Sequence, residues 1–227
     1  MARIGTFELP QDSTLADLRT EFVLGRVRRV VRITTVLSRF SGRAAFVAAL
    51  ENLEREIERL DRGETDFSIR AGRLFNGRRR RHEVARDDAR CLAALTLELL
   101  TNDRFERSET VRTVADSISS SPKILNLATE GNWTALPRVE LTFGQPVSEP
   151  TLSSGDFSLE ILGDFAPGEV LVADSEARVV TRNGTNILAQ TSGDFIELAP
   201  GGATLAYSAT AALHDAAIEV TWRDRWV

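Results

Sequence analysis

The sequence predicts a mainly β protein with one long helix, in which an N-terminal α+β barrel or sandwich is followed by a C-terminal antiparallel β-sandwich. Three observations predict it. Short runs of alternating apolar and polar residues fill most of the 227 positions, and alternation of this kind reads as half-buried strand. A single stretch, about Gly42 to Arg62, shows the three-and-four spacing of a helix. The charge changes sign along the chain: residues 1–120 hold 22 arginines against 19 acids, whereas residues 121–227 hold five arginines and Lys123 against 14 acids. Such a length suffices for two small domains. They are taken as 1–115 and 116–227, with the polar stretch Ser108 to Ser121, ahead of Pro122, as the linker.

Element by element, Glu21 to Leu37 reads as the longest strand, with Val23, Val27, Val30, Val31, Ile33 and Val36 interleaved with arginines. Ser41 is placed to cap the helix, whose inward stripe is Phe46, Ala49, Leu50, Leu53, Ile57 and Leu60. Its outer face carries Glu51 with Arg55 and Glu58 with Arg62, and Gly63 supplies the stop. Strands follow over Thr65 to Ala71, His82 to Ala85 and Cys91 to Leu100, with a tight turn expected at Asn76-Gly77. A single helix among strands, without repeated βαβ units, argues against a parallel sheet.

The second half reads as nine strands: Lys123 to Leu127, Pro137 to Phe143, Phe157 to Leu162, Glu169 to Ala173, Arg178 to Arg182, Asn186 to Gln190, Phe195 to Leu198, Thr204 to Tyr207 and Ala217 to Trp222. Asn183-Gly184 suits a two-residue hairpin and Pro200-Gly201-Gly202 breaks the chain between apolar runs. Short, regularly spaced strands fit an antiparallel sandwich.

Composition excludes several function classes. No run approaches the roughly 18 apolar residues of a membrane span, so no membrane partner is expected, and the start lacks the plan of a secretory signal. Cys91 is the only cysteine, with His82 and His214 the only histidines, so neither disulfide, metal nor other cofactor is expected. No nucleophile elbow or phosphate loop is present. Glu140, Glu160, Glu169 and Asp174 offer a carboxylate pair for glycoside hydrolysis, but acids alternating with apolar residues read as the wet face of a strand. No catalytic residue is therefore assigned.

Two features remain as contact candidates. Arg78, Arg79, Arg80 and Arg81 follow the expected turn, and such a cluster would suit phosphate or a neighbour's acids. No aromatic residue interleaves with them, which disfavours a single-strand binding platform. They are read as a subunit or partner contact, supplemented by apolar surface near Phe75 and on the strand around Cys91 to Leu100. Among the tryptophans, Trp222 continues the inward series Ile218, Val220, Trp222, while Trp133 follows Gly131-Asn132 in a turn and is the candidate glycan contact in an alternative reading.

In order, the second half contains Gly131-Asn132 with Pro137, then Asp174 with Asn183-Gly184, then Phe195, Leu198, Pro200 and Gly201, and finally the aromatic, arginine-rich Trp222 to Trp226. This order resembles the distal tail protein family of siphophages. More weakly, the strand pair, the amphipathic helix, a strand near Arg73 and the apolar strand leading into Asn102-Asp103-Arg104-Phe105 resemble that family's N-terminal belt domain. The resemblance implies a tail-tube-like belt domain followed by a galectin-like sandwich. It also implies a virion structural protein at the distal end of the tail, in the tip or baseplate, assembled in the host cytoplasm. It would be a homohexameric, non-enzymatic ring whose partners are itself, the major tail tube protein, the hub or tail-associated protein and the tape measure protein, with DNA only as passing cargo. The alternative is a carbohydrate-binding, host-recognition tail module; the absence of a long insertion in the sandwich implies no receptor-binding role.

Overall fold

The helical stripe becomes α1, Arg43–Asp61, which buries Phe46, Leu50, Leu53, Ile57 and Leu60. The computed structural model describes residues 2–11, 13–23, 26–101 and 105–227, and within 15–28 the backbone alone. Ser41 is not the cap: Gly42 holds that position without a side-chain hydrogen bond. At the other end Gly63 turns left-handed at φ 73°. Its N–H donates to Leu60 O at 3.0 Å and the Glu64 N–H reaches back to Arg59 O at 2.9 Å, the paired bonds that close a helix on glycine.

The chain divides into two compact units, Met1–Glu109 and Thr110–Val227. In the first, β1 (Thr14–Val23), β2 (Arg26–Leu37), β3 (Arg78–Asp87) and β4 (Leu92–Thr101) form an antiparallel sheet in the order β1-β2-β4-β3. The run Glu21 to Leu37 is therefore not one strand. It spans a hairpin whose alternation continues on both sides of residues 24–25, which lie outside the described residues, as do Asn102, Asp103 and Arg104. Register places Val31 opposite Leu99, Ile33 opposite Leu97 and Leu37 opposite Ala93. These side chains share one face and join the stripe of α1, with Ile4, Phe7, Leu9, Phe67 and Phe75, in one core. Among the described residues the sheet is open, with the helix on one face, so the first unit has the expected α+β character without closing into a barrel.

The turn expected at Asn76-Gly77 lies elsewhere. Phe67 and Phe75 exchange backbone hydrogen bonds of 2.9 and 2.8 Å around a turn at Arg70–Arg73, where Gly72 has φ 75°. Gly77 serves a different need: a Cβ there would lie 2.7 Å from the Phe67 ring and 2.9 Å from Leu100 O. Cys91, at φ 51°, ends the turn between β3 and β4.

The second unit is an antiparallel sandwich. One sheet runs β5 (Arg112–Ile118), β13 (Ala216–Trp222), β7 (Arg138–Phe143), β10 (Val170–Asp174), β11 (Val179–Arg182) and the short Thr185–Asn186. The other runs β6 (Lys123–Leu127), β12 (Ala203–Thr210), β8 (Val147–Ser154), β9 (Phe157–Ile161) and Thr191–Gly193, with Asp164–Phe165 added to β8. Val139, Leu141 and Phe143, with Ile218 and Val220 beside them in the same sheet, face Leu152, Leu159 and Leu205 of the other sheet in a single core. Tyr207 is fully buried there, and burial pushes its hydroxyl pKa up to about 12.

Several sequence expectations change here. The serine-rich stretch is not a linker over Arg112–Ile118, because that segment is β5, paired with β13 along its whole length. Asn186 to Gln190 is not a strand: Leu188–Gln190 is a 3₁₀ turn after Thr185–Asn186. Phe195 to Leu198 makes only a bridge from Leu198 to Ala135, and β8 adds a strand that the pattern did not suggest.

Candidate partner-contact surface

Arginines 78–81 occupy the first half of β3, an edge strand, and not the tip of a hairpin. All four are exposed. A register shift between Arg79 and Arg81 bends the edge there, as bulges do. The Arg79 N–H donates to Asp61 Oδ1 at 2.8 Å and its guanidinium meets Asp61 Oδ2 at 2.7 Å, which ties the strand to the last residue of α1. Arg81 donates to Glu83 Oε1 at 2.5 and 2.9 Å, and that carboxylate raises its pKa. Part of this basic cluster is thus already neutralised within its own unit.

Beside it, Arg32 on β2 donates to Glu98 on β4 at 2.6 and 3.1 Å. The Arg32 hydrogen bond holds the Glu98 carboxyl below its ordinary value, against the opposing effect of burial. His82 follows the arginines on β3; burial first, and then the charge of Arg79, lowers its pKa.

Phe75 contributes no surface. It is fully buried, stacked on Phe67 with ring centroids 5.2 Å apart, and covered by the Arg29 guanidinium 5.0 Å from its ring. The Phe75 part of the expected contact is core, because the backbone exchange between Phe67 and Phe75 turns that ring inward.

In the sandwich, Trp222 is buried and its indole N–H donates to Asp224 Oδ1 at 3.3 Å. Trp133 is 39% exposed and lies where its backbone N–H donates to Arg225 O. The four acids considered for hydrolysis do not assemble into one site. Glu140 pairs with Arg138 at 2.7 Å, Glu169 with Arg182, and Asp174 accepts from the Ala177 N–H at 2.8 Å. An open cleft of about 660 Å³ lies instead at the turn between β8 and β9, where Ser154, Asp156 and Glu197 line it. Sequence reasoning missed these three because they sit in turns and at a strand end, outside any periodic pattern.

Residues 130–226 match the family described as siphovirus-type tail component, C-terminal domain. The full-length fold is similar to the crystal structure of the Dit protein of phage SPP1, described as a paradigm of the hub adsorption apparatus in phages infecting Gram-positive bacteria. The TM-score is 0.60 at 16% identity, with 100% of this chain and 92% of that chain covered. No curated protein matches the sequence. The chain thus carries, over residues 130–226, a match to the C-terminal domain of siphovirus-type tail components, and along its whole length a fold similar to that of the SPP1 Dit protein.

Proposed function

We propose that this protein is a siphovirus tail component, a non-enzymatic adaptor that assembles as a homohexameric ring at the distal end of the virion tail. The ring joins the major tail tube protein to the hub protein, and the tape measure protein and later DNA pass through its centre. The observation that carries this reading is the open four-stranded sheet of the first unit, whose edges β1 and β3 are ten residues each and, among the described residues, unpaired on their outer sides. The two edges differ in charge. β3 carries five arginines against Glu83 and Asp87, whereas β1 carries Asp17 and Glu21 against Arg19. Unlike edges favour a head-to-tail contact, in which one surface of each copy meets a different surface of the next, and such contacts close into a ring when the rotation between copies completes a full turn. Exposed charge sets the register of such a contact more than its strength.

The test is the state of the full-length chain in solution. Native mass measurement and electron micrographs should show rings of six copies; a chain that stays monomeric at micromolar concentration contradicts the proposal.

A further inference from the structure

We propose that the cleft at the β8–β9 turn is a weak saccharide-binding site. Its floor is the end of the sandwich core, where Leu127 is buried. Ser154, the last residue of β8, also lines it. This residue is only 5% exposed, and among the described residues no hydrogen bond occupies its hydroxyl. The Ser154 oxygen is not among the fully buried polar atoms that lack a partner, so it keeps its contact with the solvent of the cleft and presents a hydrogen-bonding group there.

The remaining lining completes a set suited to a polyol. Asp156 and Glu197 are carboxylates with no ion-pair partner among the described residues, Asn126 adds an amide, and Phe157 brings an aromatic ring. Sugars present adjacent hydroxyls that donate to carboxylates and an apolar C–H face that packs on a ring. A metal ion fits less well: among the described residues no group of three acids, histidines or cysteines gathers there or elsewhere.

The walls are fixed before any ligand arrives. Thr129 is buried, donates to Ala199 O at 2.6 Å and accepts from the Gly202 N–H at 2.8 Å. Glu197 precedes Leu198, which exchanges backbone hydrogen bonds of 2.9 and 3.0 Å with Ala135. A preformed site loses less entropy on binding, yet the cleft is open, so each copy binds weakly. Repetition around an assembly would turn weak sites into useful avidity.

The site is distinct from Trp133, which does not line the cleft. The experiment is saturation-transfer NMR on the full-length protein with glucose, galactose and N-acetylglucosamine as probes. At least one should give transfer with a dissociation constant on the order of 1 mM. Asp156→Asn with Glu197→Gln should weaken it about tenfold, and Ser154→Val should abolish it by filling the cleft. Trp133→Ala should leave it unchanged, with each variant's fold verified by its thermal melt. No transfer from any of the three sugars, transfer indifferent to the cleft variants, or transfer lost in Trp133→Ala would each overturn the proposal. Ring assembly, read separately in micrographs, is expected to persist in all of these variants.

Discussion

Glu56 shows how much one side chain can hold in this chain. It lies on the inward face of α1, 3% exposed, where an apolar residue would be expected. Its carboxylate accepts from Thr6 Oγ1 at 3.0 Å, from the Thr6 N–H at 3.3 Å and from Arg59 at 2.9 Å. Burial alone would raise its pKa, but the Thr6 and Arg59 donors outweigh that, and the value falls below the ordinary 4.5. A carboxyl whose folded pKa is depressed adds stability that is present above the unfolded value and is lost as pH falls through the folded one. Glu56→Gln should therefore cost about 1–3 kcal/mol near neutral pH, since buried donors lose their charged acceptor. The difference from the parent should shrink below about pH 4.5, as denaturant melts across that range would show. A gap of the same size at pH 3 and pH 7 would refute the account. Gly5 belongs to the same contact: a Cβ there would fall 1.8 Å from Glu56 Oε2, and its φ is 55°. Gly5→Ala is expected to lower the thermal midpoint of the first unit by several degrees, roughly the effect of 1–3 kcal/mol. Nothing in the helical period marks Glu56, because a buried acid on an apolar stripe is visible only once its partner from residue 6 is in place.

At the scale of elements, the helix and most sandwich strands were legible because one face of each is apolar. What was hidden had a local cause. β8 contains Pro150, and proline usually ends a strand; here it sits inside the register shift between Ser148 and Thr151, beside Glu149 at φ 52°, where the ladder is already interrupted. β5 reads as a linker because it is an edge strand with Ala115, Asp116 and Ser117 exposed, and only Val114 and Ile118 meet the core. Of the contact surface, the basic cluster was legible but its place on an edge strand was not. Arg79 and Arg80 lie on that open edge, so replacing both with Glu is expected to weaken self-association and make it more salt-sensitive. Each exposed pair contributes only about 0–1 kcal/mol. Sedimentation of the variant and the parent at low and high salt tests this; identical profiles at both would remove the edge from the contact. Because Arg79 also holds Asp61, an Asp61→Asn control separates loss of the α1–β3 tie from loss of the intermolecular charge.

For the molecule as a whole, the two cores are separate clusters, one gathered around α1 and the other between the two sandwich sheets. We expect each unit to fold alone. Fragments 1–109 and 110–227 should each unfold cooperatively, and the second should be more stable than a fragment beginning at 116, which lacks four residues of β5. Calorimetry on the three fragments decides it: a molten 110–227, or no gain over the shorter form, would show that the units depend on one another.

Each unit also carries a reactive side chain found nowhere else in the chain. Cys91, partly exposed after β3, is the only thiol, and Lys123, at the start of β6, is the only lysine, held to Asp116 at 2.7 Å. A thiol-directed dye therefore marks the first unit and, once the more acidic N-terminal amine has been blocked, an amine reagent marks the second, with no mutagenesis. Energy transfer between the two labels would report the distance between these two positions.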